Sequence, residues 1–168
     1  MGCDIHMMIE AKVKTQKHGE VWATVNTLNP IHGHGLCHSE QFSKQPFGHY
    51  YRVEGRNYEF FADLACVRGE GEYQDRGLPD DVAPLTLAFA ESWGLDAHSH
   101  SYLYADEFIP LYIKHWFSDE EKTKYVSDRL EGDHFLTMFF YIMEKHFNVA
   151  TKDEDDPRNY RFVFFFDN

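Results

Sequence analysis

The last strand-like segment constrains this chain most. Tyr160 to Asp167 is apolar on both faces, with Phe162, Phe164 and Phe166 on one and Val163 and Phe165 on the other. A strand without a polar face has to be covered on both sides, which predicts an inner strand of a sheet. Residues 4–14 behave differently. Ile5, Met7, Ile9, Ala11 and Val13 alternate with Asp4, His6, Met8, Glu10, Lys12 and Lys14, the pattern of a strand with one buried face. The expected arrangement sets the final strand beside the first, with both ends of the chain in the sheet.

Lys17 to Glu20 reads as a turn, and Val21 to Val25 as the second arm of a hairpin. Asn57 precedes a helical stretch from about Tyr58 to Val67 and can cap it. Gly69 to Asp81 reads as loop. Asp81 is expected to cap a helix ending near Trp93, with Gly94 stopping it. Asp96 to Ser101 is then a polar loop between helices, followed by a helix over roughly 105–116 that Pro110 should disturb. Ser118 to Glu121 forms a capping box, and helical pattern continues toward Phe147 with a break at Gly132-Asp133. Lys152 to Asn159 is an acidic turn. The expected fold is α+β: one domain over residues 1–168, a small antiparallel sheet with N- and C-terminal strands, packed against several helices.

The aromatic share is 17%, enough apolar area for a core without disulfides. Cys3, Cys37 and Cys66 make an odd count with no disulfide or zinc-knuckle spacing. A reducing cytoplasm is the expected compartment. No basic region followed by an apolar run marks a secretory signal, and His6 fails the myristoylation pattern that Gly2 invites. The formal net charge of -12 repels a phosphate backbone, so double-stranded nucleic acid is not an expected partner. No stretch reaches membrane-spanning length.

Eleven histidines mark the chemistry. Asp4 and His6 are two apart in a strand and leave the same face. They suit a metal-ligand pair or a histidine base with an orienting carboxylate, against the plainer alternative of a solvated edge-strand face. Cys3 adds a thiolate if the strand frays. Asp96, His98 and His100 repeat the spacing, with Ser101 and Tyr102 supplying hydroxyls. Two histidines and a carboxylate can complete a zinc or manganese site with an open position, where bound water is activated. The alternative is a polar loop whose imidazoles bond to backbone. His32, His34, Cys37 and His38 lie among glycines that leave them without pre-organisation, so a lid suits that loop better than a metal site. Arg56 and Arg76 are anion-binding candidates in an acidic chain, or else partners for neighbouring carboxylates.

Taken in order, Gly2 to His6, Arg56-Asn57-Tyr58, Phe60 to Leu64, Val67-Arg68, Arg76 to Asp81 and His98 to Ser101 resemble a family of small bacteriophage and prophage proteins. The resemblance covers roughly the first 110 residues and names no reaction. It implies a shared polar site built from Asp4, His6, Arg56, Asn57, His98, His100 and Ser101. It also implies a role in phage–host conflict, which is association and not mechanism. The family would place Thr or Ser before the next helix. Tyr104 stands there instead, which predicts a helix start shifted toward Asp106.

Together these features predict a metal-assisted hydrolase of a small phosphorylated or nucleotide-like molecule. His6, Asp4, His98, His100 and Ser101 would be catalytic. His6, His98, His100, Asp4 and Asp96 would hold a divalent zinc or manganese ion, and Arg56, Asn57, Tyr102 and Arg76 would bind the ligand. Two alternatives stand beside it: a non-catalytic protein that sequesters a small signalling nucleotide, stacking it on Tyr102 or Trp93, and an acidic inhibitor of a basic host protein. A homo-oligomer is compatible with all three.

Overall fold

The computed structural model describes residues 2–25, 51–52, 56–116 and 156–167. The His32–His38 loop, the capping box at Ser118 and the helical pattern toward Phe147 lie outside the described residues.

Within them the chain runs β1 (Asp4–Thr15), β2 (Gly19–Thr24), β3 (Tyr51–Arg52), α1 (Tyr58–Ala65), α2 (Pro84–Ser92), β4 (His98–Tyr104), α3 (Ala105–Trp116) and β5 (Tyr160–Asp167). The fold is α+β. The sheet order is β2-β1-β5-β4, and β3 joins the same edge of β1 as β2. Every pairing is antiparallel. β5 lies between β1 and β4, as its two apolar faces require, and Asp4 stands opposite Asp167.

Ile5, Met7, Ile9 and Ala11 of β1 share one face with Phe162, Phe164 and Phe166 of β5 and Leu103 of β4. α1 covers that face with Phe60, Phe61 and Leu64, and α3 with Phe108, Leu111 and Tyr112. Phe108 stacks on Phe162 with ring centroids 4.0 Å apart. Each fully buried Phe contributes roughly 1.5–3 kcal/mol by leaving water. On the opposite face, Met8 and Phe165 pack against Phe89 and Ala90 of α2, with Leu78 and Trp93 at the margin.

That second helical layer corrects the one-faced reading of β1. Ile5 to Ala11 are all buried, because α2 lies over the face that carries His6, Met8 and Glu10. β1 is therefore an inner strand, not a solvated edge.

The α2 cap also differs from expectation. The helix starts at Pro84, whose missing N–H costs nothing in a first turn, and the Ala83 side chain offers no cap bond. Asp81 instead accepts from the Trp22 indole at 2.9 Å and from Arg161 at 2.6 Å.

Of the 96–101 segment expected as a polar loop, the part from His98 onward is the start of β4. Its small and polar residues hide the strand pattern, and the backbone pairing with β5 defines it. α3 begins at Ala105 with no shift toward Asp106. Tyr104 needs no capping side chain because Glu107 reaches back to its N–H at 2.9 Å, one half of a capping box. Pro110 sits inside α3, which continues through it to Trp116.

Candidate functional site

The sheet brings two of the three histidine clusters to one end. β1 begins there, β5 finishes there and β4 begins there, so Asp4, His6, His98 and His100 lie on strands that flank β5.

His6 is 4% exposed and stands in an aromatic box. Trp93 lies 4.0 Å from its ring centroid, Phe165 stacks at 5.2 Å, and Phe89 meets it edge-on at 6.4 Å. The box forms because α2 ends at this corner and delivers Phe89 and Trp93 over β1. His6 Nε2 lies 3.1 Å from Asp167 Oδ2. The other oxygen, Oδ1, accepts the Asp4 backbone N–H at 3.0 Å. Asp167 thus fixes both the ring and the strand that carries it. The sequence reading passed over Asp167. An antiparallel β1/β5 pair sets the acidic end of β5 against the acidic start of β1, and that signal was available.

Asp4 is paired as well. Arg56 donates to it through Nε at 2.9 Å and Nη2 at 3.3 Å. The guanidinium lies over Gly2, where a Cβ would come within 1.9 Å of Nη1. Asp4 raises the Arg56 pKa further through hydrogen bonds and charge. Arg56 is half exposed, so this surface pair contributes little stability. The pair holds the guanidinium in place beside the start of β1.

His98 and His100 part company. His98 stands opposite Phe166 and Ser101 opposite Phe164, so β4 has one more residue than β5 across this stretch. Ser99 absorbs the excess as a bulge with φ at +48°. Two-residue spacing would put both imidazoles on one face, but the bulge sends them to opposite faces. His98 stacks on Phe166 at 6.2 Å, and His100 packs on Phe165 at 5.4 Å, the ring that also flanks His6. Burial first, then the neighbouring His98, lowers the His100 pKa. His98 Nδ1 lies 3.1 Å from Ser99 Oγ, while its Nε2 is buried with no hydrogen-bond partner among the described residues.

The remaining expected residues sit elsewhere or are engaged locally. Asp96 is exposed in a short turn after α2. Asn57 caps α1, accepting from the Phe60 N–H at 3.1 Å. Ser101 is buried and accepts from the Arg76 backbone N–H at 3.1 Å. Both Nη atoms of Arg76 bond Glu107 at 2.9 Å. The Tyr102 ring lies between two guanidinium groups, 5.6 Å from Arg76 and 5.7 Å from Arg161. Cys3 is buried, and that burial pushes its thiol pKa up against a lowering hydrogen bond with Arg68. Among the described residues, no three His, Cys, Asp or Glu side chains are grouped so as to hold a metal ion.

A second polar centre went unread. Arg161 is buried in β5 and donates to Glu10 at 2.7 Å and to Asp81 at 2.6 Å, while its guanidinium lies 4.0 Å from the Trp22 ring centroid. Glu10 also accepts the Ala83 N–H at 2.9 Å. These pairings tie β5, β1 and the approach to α2 together. Each charge of the buried Arg161–Glu10 pair is matched by the other, so neither is left uncompensated in the interior.

No family model, curated protein or solved structure matches the chain. No helix among the described residues is long and apolar enough to cross a membrane.

Proposed function

We propose that the sheet end carrying Asp4, His6, His100 and Asp167 is the active site of a hydrolase. The substrate class is a small phosphorylated or nucleotide-like molecule. The observation that carries this is the His6–Asp167 pair, a buried imidazole held at 3.1 Å by a carboxylate inside an aromatic box. A buried polar ring is costly to leave unpartnered, and the Asp167 carboxylate supplies the partner here.

His100 has its pKa lowered, so it is neutral at pH 7 and able to accept a proton from water. The water oxygen bonds to phosphorus, the bond from phosphorus to the leaving oxygen breaks, and the proton taken up by His100 passes to that oxygen. Asp167 holds the buried His6 ring against Phe165, the same ring that His100 packs on. Arg56, spread on Asp4 at the rim, offers its Nη1 edge to the anion.

A metal-assisted form, with zinc or manganese, requires ligands beyond those the described residues bring together. It is tested separately by elemental mass spectrometry on the tag-free full chain. Near-stoichiometric metal supports that form, and metal-free protein with activity rejects it.

The main test incubates the full chain with nucleoside triphosphates, cyclic nucleotides and sugar phosphates and follows products by mass spectrometry. Turnover should fall on the order of 100-fold or more in His100→Ala, with circular dichroism unchanged. A nucleotide bound but recovered intact would replace the hydrolase with the sequestering protein. Neither binding nor turnover leaves His6 and Asp167 as a latch between the first and last strands.

A further inference from the structure

β4 is the outer strand of the sheet order among the described residues, and its edge is closed by a strap. α1 lies on one face of the sheet and α2 on the other, so the chain between them has to cross. Tyr73 packs with the first-face core, and its N–H donates to the Asp63 carbonyl of α1 at 3.0 Å. Leu78 packs with the second-face cluster. Arg76 lies between them at the β4 edge. Its backbone N–H reaches Ser101 Oγ, and its Nη1 reaches the Tyr102 carbonyl at 3.4 Å. Glu107, held by both Arg76 Nη atoms at 2.9 Å, accepts the Tyr104 N–H at 2.9 Å.

Along an antiparallel strand, alternate residues turn their peptide groups away from the partner. Tyr102 and Tyr104 are those residues here, and the groups they turn outward are the ones a further strand would use. We infer that the Arg76–Glu107 pair is a guard that keeps the β4 edge from adding β4 of a second copy. An open edge strand is a template for pairing with another chain, and charged side chains over the edge are a known defence. β4 itself carries no Lys or Pro to blunt its edge. The strap also contributes Glu70, Glu72, Asp75 and Asp80, which repel a second acidic strap. The occupant these acids and the guard exclude together is another copy, which pairs antiparallel across a two-fold axis once the guard is gone and salt screens the acids.

The test uses the full chain with Arg76→Ser and Glu107→Ala combined. The pair of changes leaves net charge unaltered and releases both the Tyr102 carbonyl and the Tyr104 N–H. The control is Lys114→Ser with Asp63→Asn, an ion pair between α3 and α1. Light scattering across concentration at moderate salt should show the guard variant doubling in mass where wild type and control stay monomeric. Amide hydrogen exchange at Tyr104, whose N–H the guard holds, should quicken in the diluted variant and slow again in its dimer. A folded variant that stays monomeric with wild-type exchange overturns the inference. So does a wild type already dimeric through β4. If the double variant fails to fold, Arg76→Lys keeps the charge but cannot bridge both Glu107 oxygens. It should dimerise at higher concentration, and its staying monomeric with unchanged exchange is equally decisive against the guard.

Discussion

Arg161 and Glu10 meet at 2.7 Å across β5 and β1 with both side chains essentially out of solvent. Removing one partner strands the other charge in the interior. Arg161→Ala should lower unfolding free energy by about 3–5 kcal/mol. Replacing both, with Arg161→Met and Glu10→Leu, should cost less than the sum of the single changes. Urea unfolding of Arg161→Met, Glu10→Leu and the double variant checks this, and additive losses would show that the pair is not coupled.

Gly2 gives Arg56 room to lie on Asp4. Gly2→Ala should leave the fold intact, because the far end of a flexible side chain can move aside. It should displace the guanidinium from Asp4 and weaken binding of an anionic ligand several-fold. Calorimetry with inorganic phosphate, beside Arg56→Ala, reads the effect. Equal affinity in wild type and both variants removes Arg56 from ligand binding.

Acid should destabilise the protein in two stages. His100 has a folded-state pKa below the ordinary 6.5, set first by burial and then by His98. The unfolded chain therefore takes up this proton more readily, and stability falls as pH drops from about 6.5 toward the folded value. Asp63, Asp81 and Glu107 supply the lower stage. Burial raises each of them, but hydrogen bonds from Lys114 and His115, from Arg161, and from Arg76 outweigh it and lower the pKa. Their contribution is complete above the ordinary carboxylate range and is lost as pH falls through the folded values. Urea unfolding against pH should lose its first stage in His100→Gln and keep the second. An unchanged profile would show that His100 does not titrate in this way.

Asn57 satisfies one of the orphan N–H groups of α1. Asn57→Ala should cost about 1 kcal/mol, or roughly 2–4 °C in Tm for a chain of this size. Calorimetry measures it. A loss of ligand binding in a variant with unaltered Tm would instead give Asn57 a contact with ligand.

The sequence by itself determined the strands and helices whose hydrophobic period is strong. β1, β5, α1 and α3 are readable from alternation, caps and two-sided burial, and so is the place of β5 inside the sheet. It also named the first and third histidine clusters as belonging together. β4 was not readable, because His-Ser-His-Ser has no apolar alternation and the strand exists through its pairing with Phe164 and Phe166. The tertiary structure decided which imidazoles share a face, since one bulged residue at Ser99 inverts what spacing predicts. It decided that Arg76 meets Glu107, 31 positions away, and that Asp167 meets His6, 161 positions away. Periodicity is local and reports only which side of its own element a residue occupies. Which charges face each other is settled when the sheet closes and the two helical layers cover it.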